Sequence, residues 1–207
     1  SSNISLYAKW NAVPYSVTYS ATTSDGGTVP TDSATYNITQ SLTVRGNTGN
    51  LTRSGYTFAG WTVAANGSGT VLVSGDSYIV GSTNITFYAK WTAVPYSVTY
   101  SAATSTSGSV PTDGATYNIG QTVTVLGNTG SLQRTGYTFA GWTTASDGTG
   151  IVLTSGGSVT VAAANVTLYA KWTPINYSIT YNANNATSGS VPADANNYNI
   201  GQNITDR

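Results

Sequence analysis

The stretch GYTFAGWT, residues 55–62, returns letter for letter at residues 136–143, 81 positions further on. Apart from its tyrosine it carries no ionisable side chain, so its repetition points to structure rather than chemistry. In it Tyr56, Phe58 and Gly60 alternate with Thr57, Ala59 and Trp61, which predicts an inner strand with apolar groups on both faces. The same spacing runs through the whole chain. YAKW ends at Trp10, Trp91 and Trp172; YSVTY at 15–19 returns at 96–100 and, as YSITY, at 177–181. GTVPTD at 27–32 becomes GSVPTD at 108–113 and GSVPAD at 189–194. Aligned without a gap, residues 13–93 and 94–174 are identical at 54 of 81 positions.

A period of this length is too long for one rung of a solenoid. It suits a small domain with its own core, able to bury roughly 60–65% of its unfolded surface. The 207 residues therefore divide into the terminal strand of a truncated repeat at 1–12, complete repeats at 13–93 and 94–174, and the first part of a truncated repeat at 175–207. The chain starts without Met in the middle of a strand pattern, which reads as an internal segment of a longer protein.

Within the first complete repeat, Tyr15, Val17 and Tyr19 alternate with Ser16 and Thr18, the period-2 pattern of a strand with one buried face. SLTV at 41–44 reads as a short strand. NITFYAKW at 84–91 reads as a closing strand, with Ile85, Phe87, Ala89 and Trp91 on one side and Tyr88 and Lys90 on the other. Asn66-Gly67, matched by Asp147-Gly148, predicts a two-residue type I′ hairpin turn. GNTGN at 46–50 and SGD at 74–76 read as turns. The candidate core is Tyr56, Phe58, Trp61 and Trp91, with Tyr137, Phe139, Trp142 and Trp172 as its copies. The joint TAVP at 92–95 is short, and Pro95 fixes its own φ, so adjacent repeats are expected to be restrained in angle.

Composition agrees. Three phenylalanines, five tryptophans, 15 tyrosines and many Val and Thr favour packed β-structure, while Glu and Met, both strong helix formers, are absent. Seven basic and seven acidic side chains leave a net charge of zero, which removes the electrostatic footing for nucleic-acid binding. No apolar run reaches the ~18 residues of a membrane-spanning helix. With 61 Ser and Thr, 18 Asn and no Cys, the chain looks most like a bacterial surface or secreted protein.

GYTFAGWTTASDGTG at 136–150, followed by VTLYAKW at 166–172, resembles the Listeria–Bacteroides repeat, the B-repeat of internalin-type surface proteins. The resemblance covers the whole chain. It implies a mostly β protein, a tandem array of small β-grasp-like domains with little or no helix. It also implies an extracellular location and a stalk or adhesin role, with no catalytic residues to carry over.

The residues exclude much chemistry. Without His or Cys, catalytic triads and zinc sites of the usual kinds cannot form. Asp32, Asp113 and Asp194 recur with the period; they read as turn-capping residues, with calcium ligation as the sharper alternative. Lys9, Lys90 and Lys171, the only lysines, read as exposed side chains covering a neighbouring tyrosine, with an amide cross-link to Asn or Asp as the alternative. Nine Asn-x-Ser/Thr sites, Asn37, Asn50 and Asn84 among them, are about what so much Ser and Thr produces by chance.

The expected role is structural, a semi-rigid stalk or building block of a surface fibre, with no enzyme activity and no cofactor. Its partners would be neighbouring repeats of the same or identical chains. The alternative is an adhesin-type recognition module that binds host or environmental glycan or protein. It would act through exposed aromatics, Tyr36, Tyr88, Tyr117 and Tyr169, or by adding a strand at a sheet edge. If the apolar strand patterns at 4–10 and 175–181 were native ends, they could pair between chains into a filament.

Overall fold

A computed structural model describes residues 3–204. Among them strands alternate with turns and no helix occurs. The chain forms two compact units that divide between Val94 and Pro95.

The first unit contains β1 (Tyr15–Ser20), β2 (Thr35–Tyr36), β3 (Ser41–Thr43), β4 (Tyr56–Thr62), β5 (Ser77–Ile79) and β6 (Ile85–Ala93). Four of these make a sheet in the order β2-β1-β6-β4; β3 and β5 make a separate two-stranded sheet. β1 and β6, the first and last long strands of the repeat, lie parallel at its centre: Val17 pairs Ile85 and Tyr19 pairs Phe87. This is the grasp-like pairing of terminal strands, with loops and the β3–β5 pair in place of a crossover helix.

The core lies between the two sheets. Val17, Tyr19, Ile85, Phe87, Ala89 and Trp61 contribute from the larger one, and Leu42, Val44 and Val80 meet them from the β3–β5 side. The alternation expected at 15–19 and 85–91 is present: Ser16 and Thr18 are exposed while Val17 and Tyr19 are buried.

GYTFAGWT departs from simple alternation. Against β6, Phe58 pairs with Trp91 but Gly60 pairs with the very next residue back, Lys90, and Trp61 with Ala89. Ala59 is thus the extra residue of a β-bulge, which resets the pleat. Phe58 and Trp61, on opposite faces in an unbroken strand, come to the same face with ring centroids 5.1 Å apart, edge to face. Gly60 makes this possible. Its φ is 136°, and a Cβ there would stand 2.6 Å from the carbonyl oxygen of Leu72.

The Asn66-Gly67 turn is also corrected. Gly67 has a φ of 73° while Asn66 is not among the positive-φ residues, and a type I′ turn requires both. Instead the Gly67 N–H bonds the Ala64 carbonyl, the Asn66 side chain accepts the Ser68 N–H, and the loop closes only at the Trp61–Leu72 bridge. The turn at Ser74-Gly75 forms as read, with the Asp76 N–H on the Val73 carbonyl.

The second unit repeats this construction in β7 (Tyr96–Ser101), β8 (Thr116–Tyr117), β9 (Thr122–Thr124), β10 (Tyr137–Thr143), β11 (Ser158–Thr160) and β12 (Val166–Pro174). Its sheet runs β10-β12-β7-β8, with β7 and β12 parallel and the same bulge between Phe139 and Gly141. Residues 175–204 belong to this unit and add one antiparallel bridge, Tyr177 to Tyr198.

The terminal strand expected over 1–12 does not form among its described residues; Ile4, Leu6, Tyr7 and Trp10 lie almost wholly exposed. In a complete repeat this segment pairs on both edges, with the equivalents of β1 and β4. Residues 3–12 have neither neighbour here.

Candidate functional sites

Each candidate core residue has a definite place. Trp61 and Trp142 are fully buried, and Trp172 is nearly so. Phe58 and Trp91 are half-buried against the first core, and Tyr137 and Phe139 against the second. The indole N–H of Trp61 donates to the Arg45 carbonyl at 2.8 Å, and that of Trp142 to Leu126 at 2.9 Å. Tyr56 sits at the margin, its ring 3.8 Å beneath the Arg53 guanidinium. Arg134 covers Tyr137 in the same way at 3.7 Å.

The periodic aspartates form one recurrent clip. Asp32 accepts the Ala34 N–H through Oδ1 and the Tyr36 hydroxyl through Oδ2, at 3.1 and 3.0 Å. Asp113 does the same with Ala115 and Tyr117, and Asp194 with Asn196 and Tyr198. The capping reading of these aspartates therefore holds, with a tyrosine added. Both bonds of each clip span no more than four residues, so the motif is local. Asp32 is 1% exposed at its side chain and has Arg45 Nε at 3.5 Å. Tyr19 reaches the same place and accepts the Arg45 N–H at 2.9 Å.

These contacts hold tyrosine protons firmly. Burial, first, and then the bond to Asp32 push the Tyr36 phenol above its ordinary value; burial does the same to Tyr19 and Tyr100. For Tyr117 the bond to Asp113 is the larger cause. An open cleft of about 550 Å³ lies beside the first clip, lined in part by Tyr36, Asp32, Arg45 and Leu42.

Of the four tyrosines considered for recognition, Tyr36 and Tyr117 are thus half-buried with their hydroxyls tied to a carboxylate. Tyr88 and Tyr169 are half-buried on β6 and β12, each on the opposite side of its strand from the core residues.

A second feature appears once in each unit. A pocket of about 150 Å³ is lined by Arg53, Lys90 and Trp91 among others. One of about 170 Å³ is lined by Arg134, Lys171 and Trp172. All nine lining positions of the two correspond at a spacing of 81. The lysines are half-buried rather than splayed over the surface: Lys90 Nζ donates to the Gly67 carbonyl at 2.7 Å, and Lys171 to that of Gly148. Backbone carbonyls hold these two, while Lys9 lies exposed. The indole nitrogens of Trp91 and Trp172 are buried without a hydrogen-bond partner among the described residues. No cluster of three or more potential metal ligands occurs among those residues.

An all-β chain built of two equivalent 81-residue units, each with its own core, is a tandem-repeat protein. The model of the Listeria-Bacteroides repeat domain matches residues 15–90 and 96–171, and the chain belongs to that family. A relative from Evansella cellulosilytica described as a Gly-rich membrane protein is 32% identical over 175 residues, covering 82% of this chain and 20% of the relative. A second from the same organism, described as a membrane protein, is 40% identical over 91 residues, 44% of this chain and 13% of the relative. The chain therefore spans about a fifth of the length of the first. No solved structure matches. No helix among the described residues is long and apolar enough to cross a membrane.

Proposed function

We propose that this segment is a load-bearing structural part of an extracellular bacterial surface protein, a stalk or building block of a surface fibre, without catalysis of its own. The observation that carries the reading is the parallel pairing of β1 with β6, repeated as β7 with β12. The chain enters each repeat at the start of one of these strands and leaves at the end of the other. Tension along the chain therefore pulls the pair in opposite directions along their length, loading the evenly spaced ladder bonds together rather than one at a time. Side chains reinforce the joint: Asn84 Oδ1 accepts the Ser16 N–H at 2.9 Å, and the Thr18 and Thr86 hydroxyls meet at 3.0 Å. Asn165 and Ser97 repeat the first of these.

Membership of a repeat family and relatives described as membrane proteins support a place in the cell envelope. The adhesin reading has less support at Tyr36 and Tyr117, whose hydroxyls already serve Asp32 and Asp113. Antibody raised against this chain should label intact cells of the source bacterium, and surface protease should remove the label. Labelling only after permeabilisation would overturn the extracellular assignment.

A further inference from the structure

The two equivalent pockets hold an unusual share of the charge of this chain. Only six basic side chains lie among the described residues, and four of them, Arg53, Lys90, Arg134 and Lys171, line these pockets in pairs. The one ion pair among the described residues is Arg45 with Asp32, so none of the four has a carboxylate of another described residue within 4.0 Å. All four are half-buried. Two like charges sharing one small, partly desolvated pocket repel each other, and an anion between them relieves that repulsion.

The donors are available. Lys90 gives one of its three N–H groups to Gly67 and retains two. Arg53 sets its guanidinium carbon 3.8 Å from the centroid of the Tyr56 ring, a contact that engages no hydrogen-bond acceptor oxygen and so leaves its N–H donors available. We propose that each pocket is an anion subsite that takes one carboxylate of an acidic polysaccharide.

Three features select that class. Pockets of about 150 and 170 Å³ fit a single carboxylate group and lack the apolar depth that holds a peptide side chain. The sites recur once per repeat, and weak sites in tandem suit a polymer that presents the same charge many times. A net charge of zero gives no continuous basic track for a phosphodiester backbone. The choice of polymer rests on the extracellular placement proposed above; the binding test itself does not.

The two repeats differ in one informative position. Asn66 lines the first pocket where Asp147 lines the second. A carboxylate there opposes an anion, so the first pocket is the stronger. Asp25, bonded to the Ser54 N–H, brings a carboxylate near Arg53 but does not line the pocket.

The test is native affinity electrophoresis of the whole chain through gels containing polygalacturonate, neutral dextran or dextran sulfate. Polygalacturonate should retard the chain and dextran should not, with retardation fading as ionic strength rises. The R53Q/R134Q variant should bind at least about tenfold more weakly with both units still folded, since it loses only the contacts over Tyr56 and Tyr137 and leaves the lysine loop anchors intact. Asp147→Asn should strengthen binding and Asn66→Asp weaken it. Equal mobility in polygalacturonate and dextran, retardation by dextran sulfate alone, or binding indifferent to these four substitutions would overturn the proposal.

Discussion

Replacing Trp61 by Ala removes the centre of the first core. The indole is fully buried, stands 4.8 Å edge-on from the Tyr19 ring and 5.1 Å from Phe58, and donates its N–H to Arg45. Truncating such a residue costs about 3–5 kcal/mol. An 81-residue unit at the usual ~0.05–0.15 kcal/mol per residue has about 4–12 kcal/mol in all. At ~4–8 °C per kcal/mol for a domain of this size, its transition should fall by roughly 12–40 °C, or vanish. The second unit keeps Trp142 and every member of its own core. Calorimetry of the full chain should therefore show one transition displaced and the other within a few degrees of its original position; Trp142→Ala should give the mirror image. If both transitions move together in Trp61→Ala, the repeats do not fold independently. A shift under about 5 °C would refute the assignment of Trp61 as the core centre.

Gly60→Ala should destabilise the first unit by at least ~1–3 kcal/mol, because its φ of 136° and the nearby Leu72 carbonyl leave no place for a Cβ; urea denaturation reads it. Gly69→Ala, with φ of 86° but open space around it, should cost less. Tyr36→Phe should cost about 1–3 kcal/mol, since it takes a donor from the buried Asp32 carboxylate. On the alkaline side, Tyr19, Tyr36, Tyr100 and Tyr117 all hold their protons above the ordinary value of 10.0. Their contribution is complete below pH ~10 and is lost as pH rises through the folded values, so the melting temperature should fall above pH ~10. The fall should be smaller in Tyr36→Phe.

Much of this architecture is legible in the residues alone. The period, the alternation at 15–19 and 85–91, and the capping aspartates each rest on local rules that the packing leaves undisturbed. The bulge at Ala59 is different. Reading alternation assumes an unbroken pleat, and only the partner strand and the close approach of Leu72 reveal why Gly60 must follow it. β5, three residues with a single half-buried side chain at Tyr78, is too short for a periodic signal and exists because it pairs with β3. Asn66-Gly67 is turn-forming as read, but the loop around it is too long for the two-residue type. The paired pockets were equally hidden, because Arg53 and Lys90 are distant in sequence and meet only when β4 lies against β6. The tyrosines considered for recognition read as exposed aromatics, yet all four are half-buried, and the commitment of Tyr36 and Tyr117 to neighbouring carboxylates depends on a turn geometry that composition does not carry.

We propose each repeat as a separate element that carries tension along the chain. Single-molecule pulling from the two ends of the chain should then give two unfolding events, each releasing roughly 270–290 Å of extended chain before subtraction of the folded length, at forces lowered in one event by Asn84→Ala and in the other by Asn165→Ala. A single event for both units, or gradual lengthening at low force without discrete steps, would contradict it.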